Sequence, residues 1–555
     1  MKRLILGVLI ALTLFLVACN NEGTDNNINT DFIASDEDMF TDKDLSCDYE
    51  STDVITIELK GDKIESSTQL DINEATLTIK DGSTYLITGN LNNGQIIIDA
   101  PNQKPTLLLS GVSITTQGSC PIYVKSCKKT FITLCKDTAN YLASQGEYIA
   151  IDENNIDSVI FAKDDLTING EGTLEIDAQQ GNGIVGKDDL VITNGAYIIK
   201  AQNHGIDANN SVRLSTPNIT INSGKDGIHV ENEDETKGYA YISKPSLTID
   251  SGGDGIDASS NVQIENGTIK ITTTQGEETD SYKGIKSGAT ILLNNGTLEI
   301  NSYDDCLHGT DILINECKAI LSSSDDGVHA DNTLIINNGE ITIEKSYEGL
   351  EAQNITINNG NIVLTSSDDG INAAGGTDNS GFGGGFSPDN FGRPGQRPGG
   401  MGGDMGGGMG STSSDGSIII NGGTVNITAN GDGIDANGYL EINGGFVTVC
   451  GPTQGDTAVL DYDLTGTING GSFIGTGSSM MAQTLTSTTH GIISLSVGNQ
   501  SSGSTITVTD SQGNVLLSYT PKLNYAIFIV SIPELIKGES YTVKIGDLEG
   551  TFEAQ

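Results

Sequence analysis

Ser324-Asp325-Asp326-Gly327-Val328-His329-Ala330 leads into Leu334-Ile335-Ile336-Asn337-Asn338-Gly339-Glu340-Ile341-Thr342-Ile343, and then into Tyr347-Glu348-Gly349-Leu350-Glu351-Ala352. This stretch decides the fold. It opens on an acid-Gly-aliphatic-x-Ala block, passes through two short segments split by an Asn-Gly turn, and returns to the same block 22 residues later. Ile, Val and Thr alternating with period two mark half-buried strands, and Asn-Gly marks the turn between them. Outward from here the block recurs at Gly183, Gly205, Gly227, Gly255, Gly284, Cys306, Gly349, Gly370 and Gly433, with spacings of 22, 22, 28, 29, 22, 21, 22, 21 and 63.

A 21–22-residue period with three strands per unit and no helical stripe excludes a leucine-rich repeat, which needs a Leu-rich strand and often a helix. The chain is therefore expected to be all-β, a right-handed single-stranded parallel β-helix. Coils stack about 4.8 Å apart, inward Ile, Val and Leu ladders replace an ordinary core, and the crossover rule gives the hand. Asn169, Asn194, Asn266, Asn295, Asn338, Asn359, Asn421, Asn443 and Asn469 precede glycines and are expected to stack as an amide ladder. Residues 51–148 read as an N-terminal cap with irregular first coils, and 149–483 as the regular helix. Within the latter, 375–415 is expected to be a disordered Gly/Met-rich insertion. Residues 484–555, where the turn signals stop, read as a small C-terminal β-cap.

The N-terminus reads as a targeting segment. Met1-Lys2-Arg3 is basic, Leu4 to Val17 is apolar, and Leu16-Val17-Ala18-Cys19 resembles a lipoprotein cleavage box, so residues 1–19 are expected to be a signal peptide with Cys19 lipidated. Residues 20–50, rich in Asn, Asp and Thr, read as a flexible tether. The expected location is extracytoplasmic, lipid-anchored and exposed at the bacterial surface, with no other contact with the membrane. Seven further cysteines, an odd number without CxxC spacing, argue against a disulfide scaffold or a zinc ribbon. With 28 Lys and Arg against 73 Asp and Glu, the net charge is −45, which excludes a nucleic-acid partner. A monomer is expected.

Two columns carry chemistry. Preceding the Gly-aliphatic step are Asp304, Asp305, Asp325, Asp326, Glu348, Asp368 and Asp369. Carboxylates one coil apart repel, and a hard cation such as Ca²⁺, which takes six to eight oxygens, relieves that repulsion. These seven residues are the expected metal ligands, against the alternative that each acid caps its own turn. Two positions after the glycine lies a mixed column, Asp207, His229, Asp257, Lys286, His308, His329, Glu351, Asn372 and Asp435, expected to face solvent. It reads as a polar face for an extended polymer rather than a zinc site.

The ordered series Lys283-Gly284-Ile285-Lys286, Asp304-Asp305-Cys306-Leu307-His308, Ser324 to Ala330, Lys345 to Glu351 and Ser367 to Ala373 resembles a bacterial carbohydrate-binding domain family. The resemblance covers roughly residues 70–450 and implies a calcium-containing, pectate-lyase-like right-handed β-helix. It further implies binding of acidic polysaccharide such as polygalacturonate, or of cellulose. The family pattern has glycine or a small residue near Cys306, so the turn there departs from it. Lys283, Lys286, Tyr303, His308, His329, Tyr347 and Glu351 are the expected sugar contacts. The alternatives are a calcium-dependent polysaccharide lyase with Lys283 or Lys286 as base, and a passive surface stalk or adhesin. Bridging by Ca²⁺ would reconcile so acidic a protein with an acidic glycan.

Overall fold

The computed structural model describes residues 28, 30–48, 53–149, 151–275, 281–374, 416–453 and 457–555. Over these residues the chain winds as a parallel β-helix. In one coil the strands Ile206–Ala208, Ser211–Ser215 and Asn218–Ser223 pair in parallel with Ile228–Val230, Tyr239–Ile242 and Ser246–Ser251 of the next. These coils therefore contribute three strands each, whereas in the central coils the first two run on as one, as in Leu307–Ile314 and Val328–Ile336. Ile184, Ile206, Ile228, Ile256, Ile285, Leu307, Val328, Leu350, Ile371, Ile434 and Leu460 form one unbroken inward ladder, all fully buried. Each such side chain contributes about 1.5–3 kcal/mol of burial, supplied by neighbouring coils alone.

The glycine of the repeated block is fixed by close approach. A Cβ on Gly227 would sit 2.4 Å from Cγ2 of Ile249 and 2.6 Å from the carbonyl oxygen of Gly255. Cys306 occupies this position in its own coil and is fully buried. In the next coil the third strand carries Leu321 where the preceding coils have Ile249, Ile271 and Ile300, and leucine lacks the γ-methyl branch that crowds the glycines. The Asn ladder exists but is displaced from the expected residues in the Asn-Asn-Gly turns. Amide donates to amide through Asn294, Asn315, Asn337, Asn358, Asn421, Asn443 and Asn469 at 2.7–3.0 Å. Asn295 instead accepts from the N–H of Gly296.

Parallel stacking begins at Ile55–Gly61, which pairs with Thr84–Asn92, while Lys63–Ser66 folds back antiparallel. At the far end Tyr525–Ser531 pairs antiparallel with both Ser472–Gly477 and Ile492–Gln500, closing the stack. A four-stranded antiparallel sheet follows, Val515–Tyr519, Ile506–Thr509, Ser540–Ile545 and Leu548–Glu553, with its own small core around Val508 and Phe528.

The expected tether is corrected for residues 30–48, which lie along the second sheet as a docked strap. Two one-turn helices, Asp36–Met39 and Asp42–Leu45, are held by capping boxes from Ser35 with Asp38 and from Thr41 with Asp44. Ala34 is clamped by both amide atoms of Gln263. Phe40 packs edge-on to Tyr241 at 5.8 Å. Asp44, 2% exposed, meets Lys129 at 2.6 Å and accepts from Thr167. Burial opposes its charge, but these donors outweigh that and hold its carboxyl below the usual range. The strap descends the solenoid against chain direction and walls a cavity of about 850 Å³ lined by Phe32, Met39, Tyr239 and Gln263. None of the charged columns reaches that cavity.

The expected signal peptide, its Cys19 and the insertion at 375–415 lie outside the described residues. Among the described residues no helix is long and apolar enough to cross a membrane. Cys47, Cys120, Cys127, Cys135, Cys306, Cys317 and Cys450 are all free thiols. Burial pushes Cys120, Cys306 and Cys317 up to about 12, so they act as packing rather than reactive groups.

Candidate functional site

The block that closes each coil places two columns side by side. The first runs Asn182, His204, Asp226, Asp254, Lys283, Asp305, Asp326, Glu348, Asp369 and Asp432. The second, two positions past the glycine, runs in strict ladder register from Asp207 to Asp461. An acid of the first column does not cap its own turn; it caps the turn of the next coil. Asp226 accepts from the N–H of Asp254, Asp254 from Lys283, Asp305 from Asp326, Asp326 from Glu348, and Asp369 from Asp432. One oxygen of each carboxylate is thereby committed to the backbone, and the other faces its neighbours.

In the central coils those neighbours are cations or donors. Lys283, with a side chain 6% exposed, lies 3.0 Å from Asp304 and 2.8 Å from Asp305. His308 Nδ1 is 2.9 Å from the same oxygen of Asp305. His329 Nδ1 stands 3.3 Å from Asp326 and 3.2 Å from Glu351. Glu348 accepts from the amide of Asn372 at 2.9 Å. Burial works against the charge on Asp305, but Lys283 and the histidines hold its carboxyl well below the usual range. Burial likewise opposes the His329 cation, and Asp326 and Asp305 raise it to about 9 nonetheless.

Two expectations fail on this geometry. The second column does not stand in solvent: His329, Glu351 and Asn372 are buried and Lys286 is half-buried, because the turns before it fold over it. His329 and Glu351 are therefore bound to each other rather than presented to a sugar. The lysine bases fare no better. Lys283 is committed to two carboxylates, and Lys286 lies 3.1 Å from Asp257 and 3.5 Å from Asp254. Burial opposes the Lys286 ammonium, but those two acids raise its pKa above the ordinary lysine value, so it holds its proton at neutral pH.

The metal column divides in the same way. Asp304, Asp305 and Asp325 bring carboxylate oxygens within 4.8 Å of one another, but the Lys283 ammonium already stands between the first two. Asp325 keeps an excess: burial first, then Asp305, Asp326 and Asp304, push it up to about 8. Farther along, Asp369, Asp432 and Asp435 form a second trio within the same limit. Among the described residues no Lys, Arg or His pairs with Asp369 or Asp435. Burial and the neighbouring acids push them up to about 8 and about 7. Asn372, one ladder step from Asp435, has a buried Oδ1 with no partner. Three clustered carboxylates, with the orphaned carbonyl oxygen of Asn372 beside them, fit a hard divalent ion. The sequence reading had Asp369 but not Asp432, Asp435 or Asn372 among the ligands. Their signal was present in the repeat, since Asp432 and Asp435 stand where Asp305 and His308 stand, three apart.

Of the other expected contacts, Tyr303 is 46% exposed and meets Tyr282 edge-on at 5.5 Å. Tyr347 and His308 are half-buried, and Asp325 and Asp368 line the same turn face. Lys283 is buried beneath it.

A family model described as carbohydrate-binding domain-containing protein matches residues 73–327 and 313–385. A protein of Acetivibrio thermocellus with the same description is 33% identical over 276 residues, which is 49% of this chain and 90% of that one. A solved structure described as the polysaccharide lyase-like protein from C. thermocellum, gadolinium derivative, is 34% identical and covers 44% of this chain and 96% of its own, with a TM-score of 0.40.

Proposed function

The chain belongs to the family of carbohydrate-binding domain-containing proteins, and from that premise we propose that it binds an extended acidic polysaccharide, of the polygalacturonate type, along the turn face from Tyr282 to Asp435 with Ca²⁺ as the bridge. One observation carries the reading. A single face presents an aromatic pair, half-buried Tyr282 and exposed Tyr303, and about three coils on, roughly 15 Å at the stacking rise, the carboxylate trio of Asp369, Asp432 and Asp435. The ring of Tyr303 offers an apolar face to a sugar ring. Asp369, Asp432, Asp435 and the carbonyl oxygen of Asn372 would hold the ion, which supplies positive charge toward the sugar carboxylates. Asp325 and Asp368 line the path between, and His308 and Tyr347 flank it. Lys283, His329 and Glu351 act beneath the face by fixing the acids.

The protein would be held at the bacterial surface as a monomer through a lipid on Cys19. The strap would then lead that anchor away from the side of the solenoid, near Gln263, rather than from its end. The test is polygalacturonate binding with Ca²⁺ and with EDTA, in the parent, Tyr303→Ala and the double variant Asp369→Asn/Asp435→Asn. Binding should need Ca²⁺ and weaken in both variants. Equal binding in EDTA would remove the bridge, and full binding by both variants would move the site elsewhere.

A further inference from the structure

Two of the five histidines stand one above the other in a single ladder. The rings of His308 and His329 are 4.7 Å apart and tilted by 45°. Each is anchored on its inner side by a buried carboxylate, His308 Nδ1 by Asp305 and His329 Nδ1 by Asp326 and Glu351. Their outer nitrogens turn toward one further acid. Asp331 Oδ1 lies 3.8 Å from Nε2 of His308 and 3.9 Å from Nε2 of His329, and the Asp331 side chain is 49% exposed.

An imidazole that ligates a metal almost always donates its other N–H to a carboxylate, which fixes the tautomer and orients the ring. Asp305, Asp326 and Glu351 are placed to do that for this pair, each ring keeping its Nδ1 proton toward them while the ion displaces the proton on Nε2 to solvent. Two nitrogen donors and one carboxylate suit a borderline transition-metal ion of the Zn²⁺ class, whereas Ca²⁺ takes oxygens. We propose that His308, His329 and Asp331 form a transition-metal site on the central coils, with Asp305, Asp326 and Glu351 as its positioning residues. Asp331 closes onto the two nitrogens as the ion binds, since Zn–N and Zn–O bonds are about 2.0–2.2 Å. Asp331 belongs to neither repeated column and half faces solvent, so it is free to make that movement. Three protein ligands leave a coordination position for water or for an oxygen of a bound molecule. The site is separate from the all-oxygen trio at Asp369, Asp432 and Asp435.

Calorimetric titration of the metal-stripped full chain with Zn²⁺, in excess Ca²⁺ and without sugar, tests this. One Zn²⁺ should bind despite the Ca²⁺. His308→Gln, His329→Gln and Asp331→Asn should each weaken it on the order of ten- to a hundredfold, the range that even outer partners of a metal site command. Asp331→Asn changes an exposed group and should melt as the parent does, which keeps the test clear of misfolding. Co²⁺ in place of Zn²⁺ should show visible absorption bands of a nitrogen-ligated ion that His329→Gln removes. Failure of Zn²⁺ to bind under Ca²⁺, or Zn²⁺ affinity unchanged in Asp331→Asn and His308→Gln, would overturn the site. Neither result bears on Ca²⁺-dependent polygalacturonate binding, which is measured without Zn²⁺.

Discussion

The coils from Lys283 to Glu351 and those from Asp369 to Asp435 carry the same repeat with opposite electrostatics. In the first group Lys283, His308 and His329 stand against Asp305, Asp326 and Glu351, and Asp325 keeps an excess. In the second the equivalent positions hold Asn372 and Asp435, and burial pushes Asp369 and Asp435 up. One repeat position thus does two jobs. Asp305, Asp326 and Asp369 each cap the next turn through one oxygen, and the residue three places on is a histidine beside the first two and Asn372 beside the third.

The largest effect should come from removing the internal cation. Lys283→Met keeps the stem but leaves Asp304 and Asp305 buried without it, and breaking a buried pair costs about 3–5 kcal/mol. Denaturant unfolding should show that loss, and Ca²⁺ should then stabilise the variant more than it does the parent. A loss below about 1 kcal/mol would erase the distinction between the two regions.

Next in size is Ca²⁺ itself. At a hundred times its Kd it should add about 2.7 kcal/mol to the parent. The Asp369→Asn/Asp435→Asn variant should lose that gain. In EDTA it should melt above the parent, because amides of the same shape do not repel. A variant that melts lower in EDTA and still responds fully to Ca²⁺ would place the ion elsewhere.

A pH-dependent effect lies at His229, 3.0 Å from Asp207 and faced also by Asp226, Asp257 and Glu231, with His204 stacked at 4.6 Å. Burial opposes its charge, but Asp207, Asp226 and Asp257 raise it to about 9. A folded-state value above the unfolded one of about 6.5 means stability that is complete below pH 6.5 and is lost as pH rises through about 9. His229→Gln should therefore be less stable than the parent at pH 6, with the gap closing toward pH 9.5. A gap independent of pH would mean that the ring contributes packing alone.

The period of 21–22 residues, the Asn-Gly turns and the aliphatic alternation are local patterns, and they were enough for the parallel β-helix, its inward ladder and the alignment of the two columns. The sequence could do this because each coil contacts only its neighbours, so register follows from spacing. It could not show which acids were already satisfied, since that depends on where side chains meet across coils. The carboxylates of Asp305 and Asp369 read alike in sequence, yet only the folded chain puts Lys283 beside the first. The strap was illegible for a related reason. Phe40 and Asp44 are two anchors in a polar run, and their partners Lys129, Thr167 and Tyr241 lie from 85 to 201 residues away in sequence, brought together only when the coils stack. Repetition fixed the backbone, and long-range contact decided which of the repeated acids meet a cation of the chain itself.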